Sequence, residues 1–360
     1  MDDQQIMKQA LDLAQSAAGQ TSPNPLVGSV IVKEGRIIGM GAHLKAGQPH
    51  AEIHALNMAG GEAQGADLYV TLEPCSHHGR TGPCADAIIR AGIRRVVVAV
   101  LDPNPLVSGQ GIQKLEAAGV IVETGVCEQQ AAELNRMFFT YIRKNRPFVT
   151  LKHAITLDGK IAVTGGRSEK ITGPDVQQDV HKLRLLHDAI LVGAQTVALD
   201  NPRLTNRFAD SPRQPIRVVL DRHLRIPIES HVIQVPDAPT WIIVGSGVDI
   251  DSRGAFPEHV EILQLDTPDV DIASALEVLA ARKVLSVLVE GGQKINTAFL
   301  QSGQVDEIAT YIAPIILGDE GTVSVFGDLH ASSASNGVRL ETQKVERIGT
   351  DLKIISTLKE

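Results

Sequence analysis

The sequence predicts two α/β domains. Its 360 residues exceed the roughly 100–150 of a common single domain. In both halves, apolar runs with strand character alternate with stretches of helical periodicity, the signature of a sheet covered by helices. The alternation breaks once, at Tyr141-Ile142-Arg143-Lys144-Asn145-Arg146-Pro147, a basic segment closed by a helix-ending proline. The expected domains are therefore 1–145 and 146–360.

Each element has its own warrant. Ile6, Ala10, Leu13, Ala14 and Ala17 recur at helical steps and Gly19 stops them, which predicts a helix over 6–18. Runs at 27–32 and 37–40 flank Lys33-Glu34-Gly35-Arg36 and read as a hairpin. Helices near 51–59, 84–91, 110–118 and 128–140 then alternate with strands 68–72, 95–101 and 120–123. The second half starts a strand at 148–151, followed by helix 174–186, strands 189–193, 216–220 and 240–244, and helix 271–281. Strand 284–289, helix 293–302 and strands near 307–313 and 351–357 complete it.

Composition narrows the function classes. The chain has 34 basic and 42 acidic residues, a formal charge of −8, so it has no general attraction for nucleic-acid or anionic membrane surfaces. Aromatic residues make up only 3%, too sparse for a base-stacking platform. Small-molecule substrates are expected, and neither nucleic acid nor membrane is expected as a partner. Three cysteines cannot build a disulfide framework and point to a reducing compartment. Met1-Asp2-Asp3-Gln4-Gln5 lacks the basic and apolar regions of a secretory signal, and no apolar run approaches a membrane span. The expected location is cytoplasmic.

The first half carries a metal constellation. His50-Ala51-Glu52 follows Pro49 at a helix start, and Pro74-Cys75 and Pro83-Cys84 lie beyond a strand. One imidazole and two thiols leave the fourth position of a tetrahedral zinc for water, as a catalytic site requires. Both cysteines stand at expected helix N-termini, where backbone N–H groups favour thiolate. Zinc lowers the pKa of such a water, and a carboxylate must then carry protons; Glu52 is the candidate. Because residues two apart do not share a helix face, Glu52 reaches the metal only if His50 sits at the helix entry. A closed structural site is the alternative if His77 or His78 completes the shell. Cys127, alone, reads as an ordinary core or surface residue.

These residues resemble the zinc-dependent cytidine deaminase superfamily, which carries His-x-Glu followed by a Pro-Cys motif. Ser22-Pro23-Asn24-Pro25-Leu26-Val27-Gly28, Gly41-Ala42-His43 and the run from Glu73 to Cys84 resemble the deaminase half of the bifunctional riboflavin-biosynthesis deaminase/reductases. The resemblance implies hydrolysis of the ring amine of a diaminopyrimidinone carrying ribosylamino 5′-phosphate. It implies zinc (Zn2+) on His50, Cys75 and Cys84, Glu52 as proton shuttle, and substrate contacts from Asn24, His43, His77 and Arg80. An amide suits ring edges, and imidazole and guanidinium suit phosphate.

In the second half, Asp158-Gly159 turns between two apolar runs, and Val287-Leu288-Val289 enters Glu290-Gly291-Gly292 before a helix. Such a glycine turn admits a phosphate to a helix N-terminus. No Gly-x-Gly-x-x-Gly follows a strand, which disfavours a Rossmann dinucleotide fold. These segments, with Gly166-Arg167-Ser168, Ile171-Thr172-Gly173 and the run from Thr196 to Thr205, resemble the reductase domain of the same family.

The implied fold is a cytidine-deaminase-like αβα sandwich followed by a dihydrofolate-reductase-like α/β domain. The implied activity is NADPH-dependent reduction of the ribosyl group to ribityl. Carried over, Ala154, Lys170, Thr196, Asp200 and Gly291, Gly292, Gln293, Lys294, Ile295, Asn296 and Thr297 contact cofactor. Ser168, Arg184, Leu204, Arg207 and Glu290 contact substrate. Position 170 is Lys where the family often has Trp. Lys152, Asp200 and Glu290 are the polar candidates near the reacting carbon, with Lys152 and Asp200 as catalytic residues, because protonating an opening ribose requires charged donors and acceptors. The family also implies a homo-oligomer. The competing readings are a tRNA or nucleotide base deaminase whose second domain is a non-catalytic nucleotide binder, and a non-catalytic zinc scaffold.

Overall fold

The Asp2 carboxylate accepts the Gln5 N–H while the Gln5 side chain accepts the Asp2 N–H. This capping box starts helix α1 (Asp3–Ser16) three residues before the apolar periodicity does. The computed structural model describes residues 2–76, 82–105, 107–163, 169–208 and 213–359, which divide into the units Met1–Asn145 and Arg146–Glu360.

In the first unit α1 is followed by β1 (Gly28–Lys33), β2 (Arg36–Ala42), α2 (Ala51–Ala59), β3 (Asp67–Leu72), α3 (Cys84–Arg90), β4 (Arg95–Val100), α4 (Gln110–Ala117), β5 (Ile121–Thr124), α5 (Glu128–Leu134) and α6 (Arg136–Lys144). The sheet order is β2-β1-β3-β4-β5. It is antiparallel across β2-β1-β3 and parallel across β3-β4-β5. The period-two alternation of a strand splits β4 between two cores. Val97 and Ala99 pack with Met7, Ala10, Tyr69, Ala131 and Phe139. Val96 and Val98 pack with Ala55, Ala85, Ile88 and Leu115 on the other face. Helices thus cover both faces, as the αβα expectation requires.

The single helix expected over 128–140 is two helices. At the break, the Asn135 side chain accepts the Leu26 N–H at 2.8 Å and donates to the Leu26 carbonyl at 2.9 Å. An amide used this way competes with helix continuation.

The second unit contains β6 (Phe148–Thr156), β7 (Lys160–Ala162), α7 (Pro174–Leu186), β8 (Ala189–Gly193), α8 (Ala194–Asp200), β9 (Ile216–Leu220), α9 (His231–Gln234) and β10 (Thr240–Val244). It continues with β11 (Val260–Gln264), α10 (Ile272–Ala281), β12 (Ser286–Val289), α11 (Gln293–Gln301), β13 (Glu307–Ala313), β14 (Val323–Ser324), β15 (Leu340–Ile348) and β16 (Asp351–Leu358). Nine strands form one sheet in the order β11-β10-β9-β8-β12-β6-β13-β16-β15. The run from β11 to β13 is parallel, and β16 and β15 add an antiparallel edge. The central strands are buried: Val149, Leu151, Leu191, Val218 and Ile243 pack with α10 and α11 on one face, and Ile190, Val192, Val219, Ile242 and Val244 with α8 and α9 on the other.

The elements α8, α9, β11, β14 and β15 were not expected from the sequence. β15 reads Leu-Glu-Thr-Gln-Lys-Val-Glu-Arg-Ile and is almost wholly exposed, so no buried face marks it. The topology matters for function. From β6 the chain moves outward through β8, β9, β10 and β11, then β12 returns between β8 and β6. A crevice opens at such a reversal, beyond the carboxyl ends of the strands.

Candidate active sites

In the first unit, α2 lies directly on the backbone of β2. A Cβ on Gly41 would stand 2.3 Å from the Ala51 carbonyl oxygen, and one on Gly39 2.2 Å from that of Ala55. This contact fixes the helix entry, where His50 is the N-cap residue and has no capping side-chain bond. Cys84 opens α3, and Cys75 follows β3. His50 Nδ1 lies 3.3 Å from Cys84 Sγ and 3.6 Å from Cys75 Sγ. The three ligand atoms lie within 4.8 Å of one another, so one imidazole and two thiols converge as a three-ligand zinc site demands. Cys75 Sγ also accepts the Cys84 backbone N–H at 3.3 Å. The Cys75 thiol is held below the usual thiol range by hydrogen bonds from Cys84 and His50. Cys84 is pushed up by the bond it gives Cys75 and by burial.

Glu52 is 3% exposed, and its Oε2 has no hydrogen-bond partner among the described residues. Burial pushes its carboxyl up to about 7. A buried carboxyl with an unpaired oxygen is costly, and here it adjoins Cys84, Cys75 and His50. The donor set and this orphaned oxygen fit a bound zinc and its water. His43 also joins the site, with its ring edge-on to His50 at 5.3 Å between centroids. Its Nδ1 pairs with the Pro49 carbonyl at 3.2 Å, so Nε2 accepts from Asn24 Nδ2 at 3.0 Å. His77 and Arg80 fall outside the described residues.

The sequence did not single out Glu73. Its carboxylate accepts the backbone N–H groups of Asp102, Gly109 and Gly111 at 3.2, 3.0 and 2.9 Å. It thereby ties the backbone at Asp102, Gly109 and Gly111 to the strand end that leads into Cys75. Its place beside Pro74-Cys75 was the available signal.

In the second unit a cleft of about 410 Å³ opens at the carboxyl ends of β6 and β12. Lys152, Ala154, Lys170, Arg184, Arg207, Glu290, Gly291 and Gly292 line it, together with His153 and His181, which the sequence did not single out. Glu290 receives Arg184 Nε at 2.7 Å and Nη2 at 3.0 Å. Lys152 Nζ lies 3.7 Å from the same carboxylate. Burial alone would raise Glu290, but the cations Arg184 and Lys152 outweigh it and hold the acid at about 2. Burial lowers the Lys152 ammonium despite Glu290.

Gly291 has no substitute without rearrangement, since a Cβ there would lie 2.5 Å from Ile295 Cβ. α11 begins at Gln293 without a side-chain cap, leaving first-turn N–H groups for an anion. Thr196 Oγ1 faces Gly292 from α8. This cradle fits a dinucleotide phosphate.

The neighbouring side chains mostly serve the fold. Asn296 donates to the Val325 carbonyl, and Thr297 bonds the Gln293 carbonyl and the Gly327 N–H. Ile295 packs into the core, while Lys294 is exposed. Leu204 is 3% exposed within a hydrophobic cluster, so only its backbone is available to a ligand. Asp200 is exposed at the end of α8 and outside the cleft lining. Ser168 lies outside the described residues.

Comparison with known proteins extends this picture. The family described as cytidine and deoxycytidylate deaminase zinc-binding region matches residues 1–100. The RibD C-terminal domain family matches residues 147–354. Riboflavin biosynthesis protein RibD of Aquifex aeolicus is 47% identical, over 98% of this chain and 97% of its own. That of Bacillus amyloliquefaciens is 45% identical, over 98% and 96%. The solved RibD of Acinetobacter baumannii superposes with a TM-score of 0.90 at 37% identity, covering 99% of each chain. A Thermotoga maritima structure described as a diaminohydroxyphosphoribosylaminopyrimidine deaminase/5-amino-6-(5-phosphoribosylamino)uracil reductase reaches 0.88 at 38% identity, covering 99% of this chain and 98% of its own. The chain belongs to the RibD family of riboflavin biosynthesis, a zinc-dependent deaminase joined to an NADPH-dependent reductase.

Proposed function

We propose that His50, Cys75 and Cys84 hold the zinc, that Glu52 carries the protons of deamination, and that Lys152 and Glu290 act on the sugar during reduction. The first substrate in this reading is 2,5-diamino-6-ribosylamino-4(3H)-pyrimidinone 5′-phosphate. The second is 5-amino-6-(5-phosphoribosylamino)uracil. The convergence of three ligand atoms within 4.8 Å beside the unpaired Glu52 oxygen carries the reading.

When bound, zinc supplies a water acidic enough to attack near neutrality, and NADPH supplies the hydride. Glu52 takes a proton from the attacking water and returns one to the ring amine, which leaves as ammonia as its C–N bond breaks. Asn24 reads the ring edge, and His43 fixes the Asn24 amide through Nε2. In the cleft, Glu290 orients Lys152 and Arg184. The desolvated Lys152 gives its proton to the ribose as the ring opens and C1′ accepts hydride. Arg207 faces the anionic end of the substrate. The α11 turn at Gly291 and Gly292 takes the cofactor phosphate, with Thr196 beside it.

We further infer self-association, a cytoplasmic location and no nucleic-acid partner. The exposed edge strand β15, with Val345 59% exposed, supports self-association, because such an edge invites pairing. Metal-binding thiols favour a reducing compartment, and the net negative charge disfavours phosphate backbones. No helix among the described residues is long and apolar enough to cross a membrane.

The test incubates zinc-loaded protein with the diaminopyrimidinone, with and without NADPH, following ammonia and product mass. Ammonia without NADPH, then a ribityl product on its addition, is the expected result. Ammonia without any reduction overturns the cleft assignment, and no turnover overturns both.

A further inference from the structure

His181 and Arg184 lie three residues apart on α7 and so share a face. Together they hold one short segment at two points. Arg184 Nη1 donates to the Thr205 carbonyl at 3.0 Å. His181 Nδ1 accepts the Arg207 backbone N–H at 3.3 Å. On either side of Thr205 the segment is anchored again. Leu204, at φ +52°, inserts into the core. Asn206 exchanges bonds with Gln214, its N–H donating at 2.7 Å and its carbonyl accepting at 2.9 Å. Arg207 is the residue that leaves this anchored stretch and lines the cleft.

Resting on the reading of Arg207 as a substrate contact, we infer that His181 is a positioning residue of the reductase site, whose Nδ1 holds the Arg207 backbone so that its guanidinium faces the anionic substrate. The chemistry selects a neutral imidazole. Nδ1 must keep its lone pair to accept an N–H, so the ring proton sits on Nε2. A second cation at 181 would lose that acceptor and repel its neighbours. The ring is faced by Arg184 and Arg207, by the Glu290 carboxylate and by the Thr205 carbonyl. Burial, then the two guanidiniums, hold it down at about 4, so it stays neutral in the cell. A carboxylate here would pair with Arg184 or Arg207 and compete with Glu290; a lysine has no acceptor.

The test is steady-state reduction of the phosphoribosylaminouracil by the full chain, with deaminase activity as an internal control for the other unit. His181→Ala is expected to raise KM for this substrate about five- to tenfold, the effect of one lost hydrogen bond. It should leave KM for NADPH and kcat within about twofold. His181→Asn, whose Oδ1 replaces Nδ1, restores most of the loss; His181→Gln, which mimics the Nε2 end, does not. In an Arg207→Gln background the effect of His181→Ala largely disappears, because the two changes share one interaction. Rescue by Gln instead of Asn overturns the positioning role, since the ring would then act through Nε2. A raised KM in Arg207→Gln with an unchanged KM in His181→Ala also overturns it. An unchanged KM in Arg207→Gln instead overturns the assignment of Arg207. If His181→Ala fails to fold, the Asn and Gln variants decide the matter alone.

Discussion

Arg184 meets Glu290 through two parallel hydrogen bonds, at 2.7 and 3.0 Å, with 13% and 11% of the two side chains exposed. Geometry of this kind fixes direction as well as charge. Removing one partner leaves a buried, uncompensated ion.

Glu290→Gln is therefore expected to abolish reduction and to destabilise the second unit by about 3 kcal/mol, the lower range for breaking a buried pair. Deamination should persist. Thermal melting with separate assays of both activities checks this, and a fully stable, active variant would contradict the pairing.

Acid should unfold the second unit in two stages. His153 is buried neutral with its pKa lowered to about 4 by burial and then by Lys152, against about 6.5 in an unfolded chain. The unfolded state takes up its proton first, so stability is intact above pH 6.5 and falls toward pH 4, by about 3 kcal/mol. Glu290, at about 2 when folded, adds a loss below the ordinary glutamate range in the same direction. Urea midpoints across pH give the slope. His181, likewise lowered to about 4 by burial, adds to the same stage, so His153→Gln, which cannot titrate, should reduce its slope by about half.

Glu52→Gln is expected to keep zinc and to lower deamination by about 100-fold or more, the range for removing a general acid–base group. Metal analysis beside ammonia release separates the two effects. Ammonia release at the normal rate would remove Glu52 from proton transfer.

Cys84→Ala should lose both zinc and deamination, because two ligands do not form the site. Reduction of substrate supplied already deaminated should continue. Chelator treatment of the unaltered protein is expected to reproduce the same split, and parallel loss of both activities in a folded variant would argue against independent sites.

Gly291→Ala must displace either the turn or Ile295, because the added Cβ would sit 2.5 Å from Ile295 Cβ. KM for NADPH should rise about tenfold or more as the cradle shifts, a loss of about 1.4 kcal/mol. Fluorescence titration with NADPH provides a binding measurement free of turnover.

Much of this was legible in the sequence because particular residues leave strong local marks. The buried strands 189–193, 216–220 and 240–244 announced themselves by short runs rich in Val, Ile and Leu, and the structure places them at those positions. β15 left no such mark, since both its faces meet solvent. The chain order of His50, Cys75 and Cys84 conveyed the proposed metal ligands, and the convergence of their side chains required only two helix starts and one strand end. His181 was invisible for another reason: it works through a backbone group further along the chain, and backbone donors have no sequence signature. Glu73 offered only its place beside Pro74-Cys75. Asp200 and Lys152 looked equivalent as charged candidates, yet strand pairing brings only Lys152 to Glu290. Nothing local in the sequence distinguishes them.

The reciprocal bonds between Asn135 and Leu26 bear on where a deaminase could be cut. The zinc-binding family region ends at residue 100, and all three proposed ligands lie before it. Yet the loop that carries Asn24 is held from behind by an amide 109 residues further on. A fragment ending before Asn135 would retain every proposed metal ligand while releasing the arm that presents Asn24. The smallest self-sufficient deaminase is thus set by the last helix pair, whose contribution is to keep a distant loop from swinging.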